Sequence, residues 1–425
     1  MDSKSSSTNS SILNNSFLSS SSIVFASSFV VNILNYIFTL AMGRLMGVEA
    51  FGEVATILSL FLVVSVPSAA LAMLMTREVA FYIESGRSIK NLSLFLRRHV
   101  FTVAFVLWLI FVLLVPLMSV FFHIQYPIFI VFSVIIPLLA IGALQTGTLQ
   151  GLQNFFILSK QSILNTLIKL ILSVFFVWLG FSVLGVVFAL VFAQGVGLLY
   201  GYFAMRKIFN SREGVDQVFD IDQRAIRSLF FTILTTTFFL AALSNIDVLL
   251  AKHYLSATLA GQYSALSTLG KIIIYGVGGF TTVLLPMASA AHARGNGEGE
   301  NILAFSLIVI TIASTVVVAL FFAFPSFFIG ALFGARYLLI AKELGVFSIA
   351  MGCIAISTAL INYFVAIENT SFIYFLGLSI IFEVLLIVFN HSSLASIVGM
   401  LVMSSFTLLG LLIVNYFMTN KLFKI

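Results

Sequence analysis

Lys169, Asp247, Lys271 and Glu383 lie inside long apolar stretches of the chain. An isolated charge there is costly and normally faces water or a partner. Lys271 is the deepest. It follows 13 residues of a stretch beginning at Thr258, about 20 Å along a helix at 1.5 Å per residue. An ammonium at that depth suits an anion, and a phosphate would gain charge-assisted hydrogen bonds from it. Lys169 lies nearer the end of its stretch, so its stem can instead snorkel out. Glu383 is central in its stretch, where a carboxyl group either relays a proton or serves as a protonated structural group. Asp247 and Arg44 each stand near the end of a stretch. They either pair and close an entrance or stay separately solvated. Arg77 ends another stretch, where it meets a phosphate or simply orients the chain.

Helix-weakening residues accompany these charges. Pro67 is central in the stretch 54–76, and Gly276, Gly278 and Gly279 follow Lys271 within a few turns. Proline removes a helix hydrogen bond and glycine permits bending. Interrupted helices at matching places in two halves of a membrane protein point to a binding site.

The sequence points to no catalytic set, metal or cofactor. The five histidines are scattered without metal-ligand spacing, and Cys353 is the only cysteine. No glycine-rich phosphate loop is present. The net charge of +6 does not signal nucleic acid, because the basic residues sit in short loops where they set membrane orientation.

The elements that must position these residues are transmembrane helices. Of 425 residues, 61% are hydrophobic and 8% charged, against about 25% charged in a soluble domain. Stretches 54–76, 99–159, 301–335 and 384–420 carry no Asp, Glu, Lys or Arg. About 20 such residues cross the hydrocarbon core as a helix. The runs are continuous rather than alternating, so they do not form a barrel. About twelve spans are expected, near 21–43, 53–75, 99–119, 126–149, 161–180, 183–205, 228–251, 258–288, 301–323, 341–365, 370–389 and 394–418. The serine-rich segment 1–20 reads as a disordered cytoplasmic tail and lacks the basic start of a signal peptide. Loops on the side of the N-terminus carry 15 lysines and arginines and the other side 4. Both termini are therefore expected in the cytoplasm.

The halves look duplicated. Glu49-Ala50-Phe51-Gly52-Glu53-Val54 corresponds to Thr258-Leu259-Ala260-Gly261-Gln262-Tyr263 at an offset of 209. Leu152-Gln153-Asn154 corresponds to Ile367-Glu368-Asn369 at an offset of 215. An even number of spans per half makes the repeats parallel, with a binding site between them. The expected lobes are 21–205 and 228–425, joined by a cytoplasmic linker over 206–227.

Three segments carry a family resemblance: Gly43-Arg44-Leu45-Met46-Gly47-Val48-Glu49-Ala50-Phe51-Gly52, Leu149-Gln150-Gly151-Leu152-Gln153-Asn154, and Asn245-Ile246-Asp247-Val248-Leu249-Leu250-Ala251-Lys252 with Ala260-Gly261-Gln262-Tyr263. The sequence resembles the polysaccharide (O-antigen, Wzx-type) flippases of the multidrug/oligosaccharidyl-lipid/polysaccharide exporter superfamily. The resemblance implies an all-α fold of two six-helix lobes around a central cleft. It implies alternating access in the plasma membrane, with membrane lipids around the protein and glycan assembly enzymes as its partners. It also implies a polyprenyl-pyrophosphate-linked sugar as substrate, held at its pyrophosphate by basic residues such as Lys271 and Arg44. A multidrug/cation antiporter of the same superfamily is the alternative. It would want acidic residues in the N-terminal lobe, and the first six spans are expected to contain none. A membrane polymerase or ligase would want catalytic residues on a large outer loop, and the longest, 324–340, has no His, Asp or Glu.

Overall fold

The computed structural model describes residues 26–84, 89–209, 223–294 and 298–422. The expected tail and residues 210–222 of the expected linker lie outside them. In chain order the helices are α1 (Ala26–Leu45), α2 (Val48–Val64), α3 (Val66–Glu84), α4 (Ile89–Phe122), α5 (Tyr126–Ser133) and α6 (Ile135–Gly151). Then follow α7 (Phe155–Trp178), α8 (Ser182–Phe209), α9 (Gln223–Leu243), α10 (Ile246–Tyr254), α11 (Ala257–Gly270) and α12 (Ile272–Arg294). The last five are α13 (Glu298–Ala323), α14 (Pro325–Leu332), α15 (Ala341–Ala366), α16 (Phe372–Phe389) and α17 (Leu394–Leu422), with a 3₁₀ turn over Ala335–Ile340 before α15.

The all-helical membrane fold expected from composition is present. Among the described residues ten spans are long and apolar enough to cross a bilayer, and an eleventh forms if the bent pair α9–α10 is one span. Helices α11 and α12, in the place of the expected eighth span, stand outside that count. Large apolar side chains point outward along these spans, among them Leu113 (71% exposed) and Val120 (74%). So much exposed apolar surface requires lipid rather than water.

The chain packs into two compact units, 1–45 with 64–237 and 46–63 with 238–425. In the first, α3 lies against α6. Gly147 and Gly151, four residues apart on α6, let the two backbones approach. A methyl group on Gly147 would overlap Met75 Cβ, and one on Gly151 would come within 2.6 Å of Val79 Cβ. Small residues at this spacing are how membrane helices gain van der Waals contact without a hydrophobic driving force. Thr76 on α3 also donates to Gln150 Oε1 on α6 at 2.9 Å.

In the second unit α15 is the central helix, with Phe347, Ala350, Ala359 and Phe364 fully buried. The segment 46–63, which belongs by sequence to the first repeat, packs here. Phe51 of α2 meets Phe333 and Tyr337 edge-on, with centroids 5.5 and 6.1 Å apart. Gly52 of α2 touches Gly261 of α11 so closely that a Cβ on Gly52 would lie 2.8 Å from Gly261 Cα. Glu49 accepts a 2.7 Å hydrogen bond from Thr258. Both are repeat-equivalent pairs at the offset of 209.

The second repeat match is visible in the backbone. Gln153 and Glu368 both adopt φ 56°, the left-handed region that non-glycine residues rarely occupy. Around Gln153, Leu152 N donates to Thr148 O and Asn154 N to Leu149 O. Around Glu368, Ile367 N donates to Tyr363 O and Asn369 N to Phe364 O. Each bond maps onto its counterpart at an offset of 215. The two turns end their helices by the same carbonyl-capping device.

Candidate functional site

The α9–α10 pair bends by 49°. The bend places Asp247 in the first turn of α10, where the helix dipole favours a carboxylate. Asp247 is 2% exposed. Its Oδ2 accepts from Tyr263 Oη at 3.1 Å and from Ser267 Oγ at 3.5 Å, both on α11. Its Oδ1 is buried without a partner. Glu383, 1% exposed on α16, likewise has a buried and unpartnered Oε1. It lies within electrostatic reach of Asp247 and Lys271, with the Ser404 hydroxyl in hydrogen-bonding range. Four helices of one unit thus converge two carboxylates, a phenol and hydroxyls around the level of Lys271.

Lys271 occupies the break itself. It caps α11, its N–H reaching Ser267 O at 3.0 Å, and α12 begins at the next residue. The matching break in the first repeat is Ser65, between α2 and α3 and two residues before Pro67. Each repeat thus has a one-residue interruption between consecutive helices in this region. In the second repeat the break falls on Lys271. Gly276, Gly278 and Gly279 lie within continuous α12, and Gly276 and Gly278 have nothing near the place of a Cβ.

A second cluster was missed by sequence reasoning. Lys252, counted as an outer-loop charge, is on α10 and 3% exposed. It feels the carboxylates of Glu53 and Glu49 on α2. Both acids are inside a helix that starts at Val48. A carboxylate at this end of the second span is therefore present after all. Part of the signal was available: Glu49 and Glu53 lie in a segment matched at the offset of 209, though Lys252 lies just outside its counterpart.

In the first unit Lys169 Nζ donates to Asn35 Oδ1 at 2.6 Å and sits over the Phe38 ring at 4.4 Å. Its charge is occupied by α1. Arg44, at the end of α1, and Arg77, two turns before the end of α3, are exposed. A cavity of about 510 Å3 opens among α1, α3, α6, α7 and α8. No sequence feature singled it out.

Long apolar helices with their large side chains facing outward, and turns repeated at Gln153 and Glu368, define a multi-pass membrane protein with an internal repeat. Solved structures agree on the fold. The chain is similar to an inward-facing multidrug resistance transporter of the MATE family in the MOP superfamily, with a TM-score of 0.73 and 14% identity, covering 92% of this chain and 96% of that one. It is similar to the lipid II flippase MurJ in an inward closed conformation, with a TM-score of 0.72 and 14% identity over 92% and 87% of the two chains. A MOP superfamily transporter from Pyrococcus furiosus, described as having a binding pocket of reverse polarity, aligns with a TM-score of 0.59 and 17% identity over 94% and 92% of the two chains. No curated protein sequence matches the chain. Residues 17–292 match the family model described as polysaccharide biosynthesis protein, so the chain belongs to that family.

Proposed function

We propose that the protein flips a polyprenyl-pyrophosphate-linked oligosaccharide from the cytoplasmic to the outer leaflet of the plasma membrane by alternating access, in cell-surface polysaccharide biosynthesis. The observation that carries this reading is family membership across residues 17–292. The fold supports it, since the similar structures include a lipid II flippase. Lys271 and Arg44 are assigned to the diphosphate, and Arg77 to its capture at the entrance. Lys169 is assigned to holding α1 on α7, because Asn35 and Phe38 already engage it. Asp247 and Glu383, with their unpartnered oxygens, are assigned to coupling through a proton or cation.

Deleting the gene in its own host should leave the lipid-linked glycan accumulating on the cytoplasmic face, and the intact gene should clear it. The second reading, a multidrug/cation antiporter, is favoured by those same buried carboxylates and by the similarity to a multidrug transporter. An unchanged glycan distribution combined with lost efflux of a cationic dye would replace the flippase reading with this one.

The orientation follows from the 15-to-4 asymmetry of basic residues. With the buried Cys353 replaced by serine, a cysteine introduced by Ser88→Cys or Ser211→Cys should resist an impermeant thiol reagent in intact cells and react after lysis. Labelling of either from outside inverts the topology.

A further inference from the structure

The cavity in the first unit has a composition that the diphosphate assignment leaves unexplained. Twelve of its twenty lining residues carry a hydroxyl or a carboxamide, and none is charged. Its volume of about 510 Å3 falls within the range of about 300–1,000 Å3 typical of small-molecule sites. Such sites usually carry only a few polar groups; this one keeps a largely apolar wall surface but draws on twelve polar residues. It is also built beside a helix break, since Ser65 and Ser68 line it on either side of Pro67.

The hydrogen bonds in its wall leave capacity for a ligand. Asn165 Nδ2 donates to Gln194 Oε1 at 2.9 Å. Whichever way these two amides are turned, the pair keeps one acceptor and one donor group beyond their mutual bond. A sugar hydroxyl donates and accepts at once and matches such a pair. Gln150 accepts from Thr76 through Oε1 and so keeps its NH2 for a further acceptor. Phe155 and Leu158 give the wall an apolar patch, suited to the C–H face of a pyranose ring. A diphosphate finds no cation in this wall, and a cationic drug finds no carboxylate.

We propose that this cavity is a subsite for one or two uncharged sugar units. The proposal rests on the glycolipid reading given above and adds that the first unit recognises the glycan by hydroxyl contacts, separately from the basic residues that hold the diphosphate.

The test uses the full chain in nanodiscs, with Cys353→Ser and a reporter cysteine introduced by Ser68→Cys or Ser162→Cys. Two probes are compared: a polyprenyl-diphosphate-linked disaccharide of neutral hexoses, and the bare polyprenyl diphosphate. Thermal stabilisation reports whether each binds at all, and the rate of maleimide labelling reports whether the cavity is filled. The disaccharide lipid should slow labelling several-fold and the bare carrier should not. Asn165→Leu or Gln194→Leu should weaken that protection about fivefold, the loss of one neutral hydrogen bond, while stabilisation by the bare carrier stays the same. Equal protection by the bare carrier overturns the proposal and makes the cavity a lipid site. Protection by a hydrophobic cation but not by the disaccharide lipid overturns it in favour of a drug site. Stabilisation by the disaccharide lipid without protection overturns the subsite and leaves the flippase reading intact. Neither stabilisation nor protection overturns both.

Discussion

Replacing Lys271 with alanine should abolish glycolipid flipping while leaving the protein inserted, and Lys271→Arg should retain part of the activity. The Lys271 backbone N–H caps α11 where it meets α12, and its ammonium lies within electrostatic reach of Glu383. Removing one partner from a buried charged group costs about 3–5 kcal/mol when desolvation is complete. Lys271 is half-buried, so that range is an upper bound. Two roles predict different double variants. If Lys271 only balances the buried carboxylates, adding Glu383→Gln should restore transport as well as stability. If Lys271 holds the substrate anion, the Lys271→Ala/Glu383→Gln protein should recover its melting temperature and remain inactive. The second outcome is expected. It is read from thermal unfolding of the purified protein alongside transport in reconstituted vesicles. Full transport by Lys271→Ala alone, or its return in the double variant, would remove Lys271 from the substrate site.

Gly261→Ala should be among the most damaging single-methyl changes in the chain. A Cβ on Gly261 would overlap the Val48 carbonyl oxygen and lie 2.7 Å from the Val48 carbonyl carbon. The obstacle is backbone, so no side chain can rotate away. Helices α2 and α11 must separate, and the Glu49–Thr258 bond and the charge neighbours of Lys252 separate with them. Overpacking typically costs about 1–3 kcal/mol where side chains can shift; here the cost should lie at or above the top of that range. The matched control is Gly276→Ala, where nothing lies within 4 Å of the new methyl. That change should leave the melting temperature unchanged or raise it, because alanine favours a helix over glycine by about 1 kcal/mol. Equal melting temperatures for the two variants would show that the α2–α11 contact contributes nothing to stability.

The spans were legible because lipid demands about 20 apolar residues in a row. The repeat was legible because turns restrict residue choice: Gln153 and Glu368 occupy the same left-handed position, each followed by an asparagine. Packing partners were not legible. A helix apolar on every side gives no periodicity to show which face touches what. The break was therefore expected near Gly276, which faces open space, whereas α11 ends six residues earlier at Gly270, packed on Phe347. Lys252 was read as a loop residue because the seventh span was ended at 251, yet α10 continues to Tyr254. The cavity of the first unit escaped for a different reason. Its amides and hydroxyls come from five helices, each neutral and unremarkable alone, and only folding brings them to one wall.

The placement of α2 in the second unit sets an order of events during synthesis. Thr258 and Gly261 follow Glu49 and Gly52 by 209 residues. At about 5–20 residues per second, a ribosome takes roughly 10–40 s to cover that distance. For that interval α2 waits in the bilayer with Gly52 uncovered and with Glu49 and Glu53 lacking the lysine they will meet. The second unit then assembles around a helix inserted long before it. Two fragments divided at the middle of the chain would leave α2 on one piece and its seat on the other.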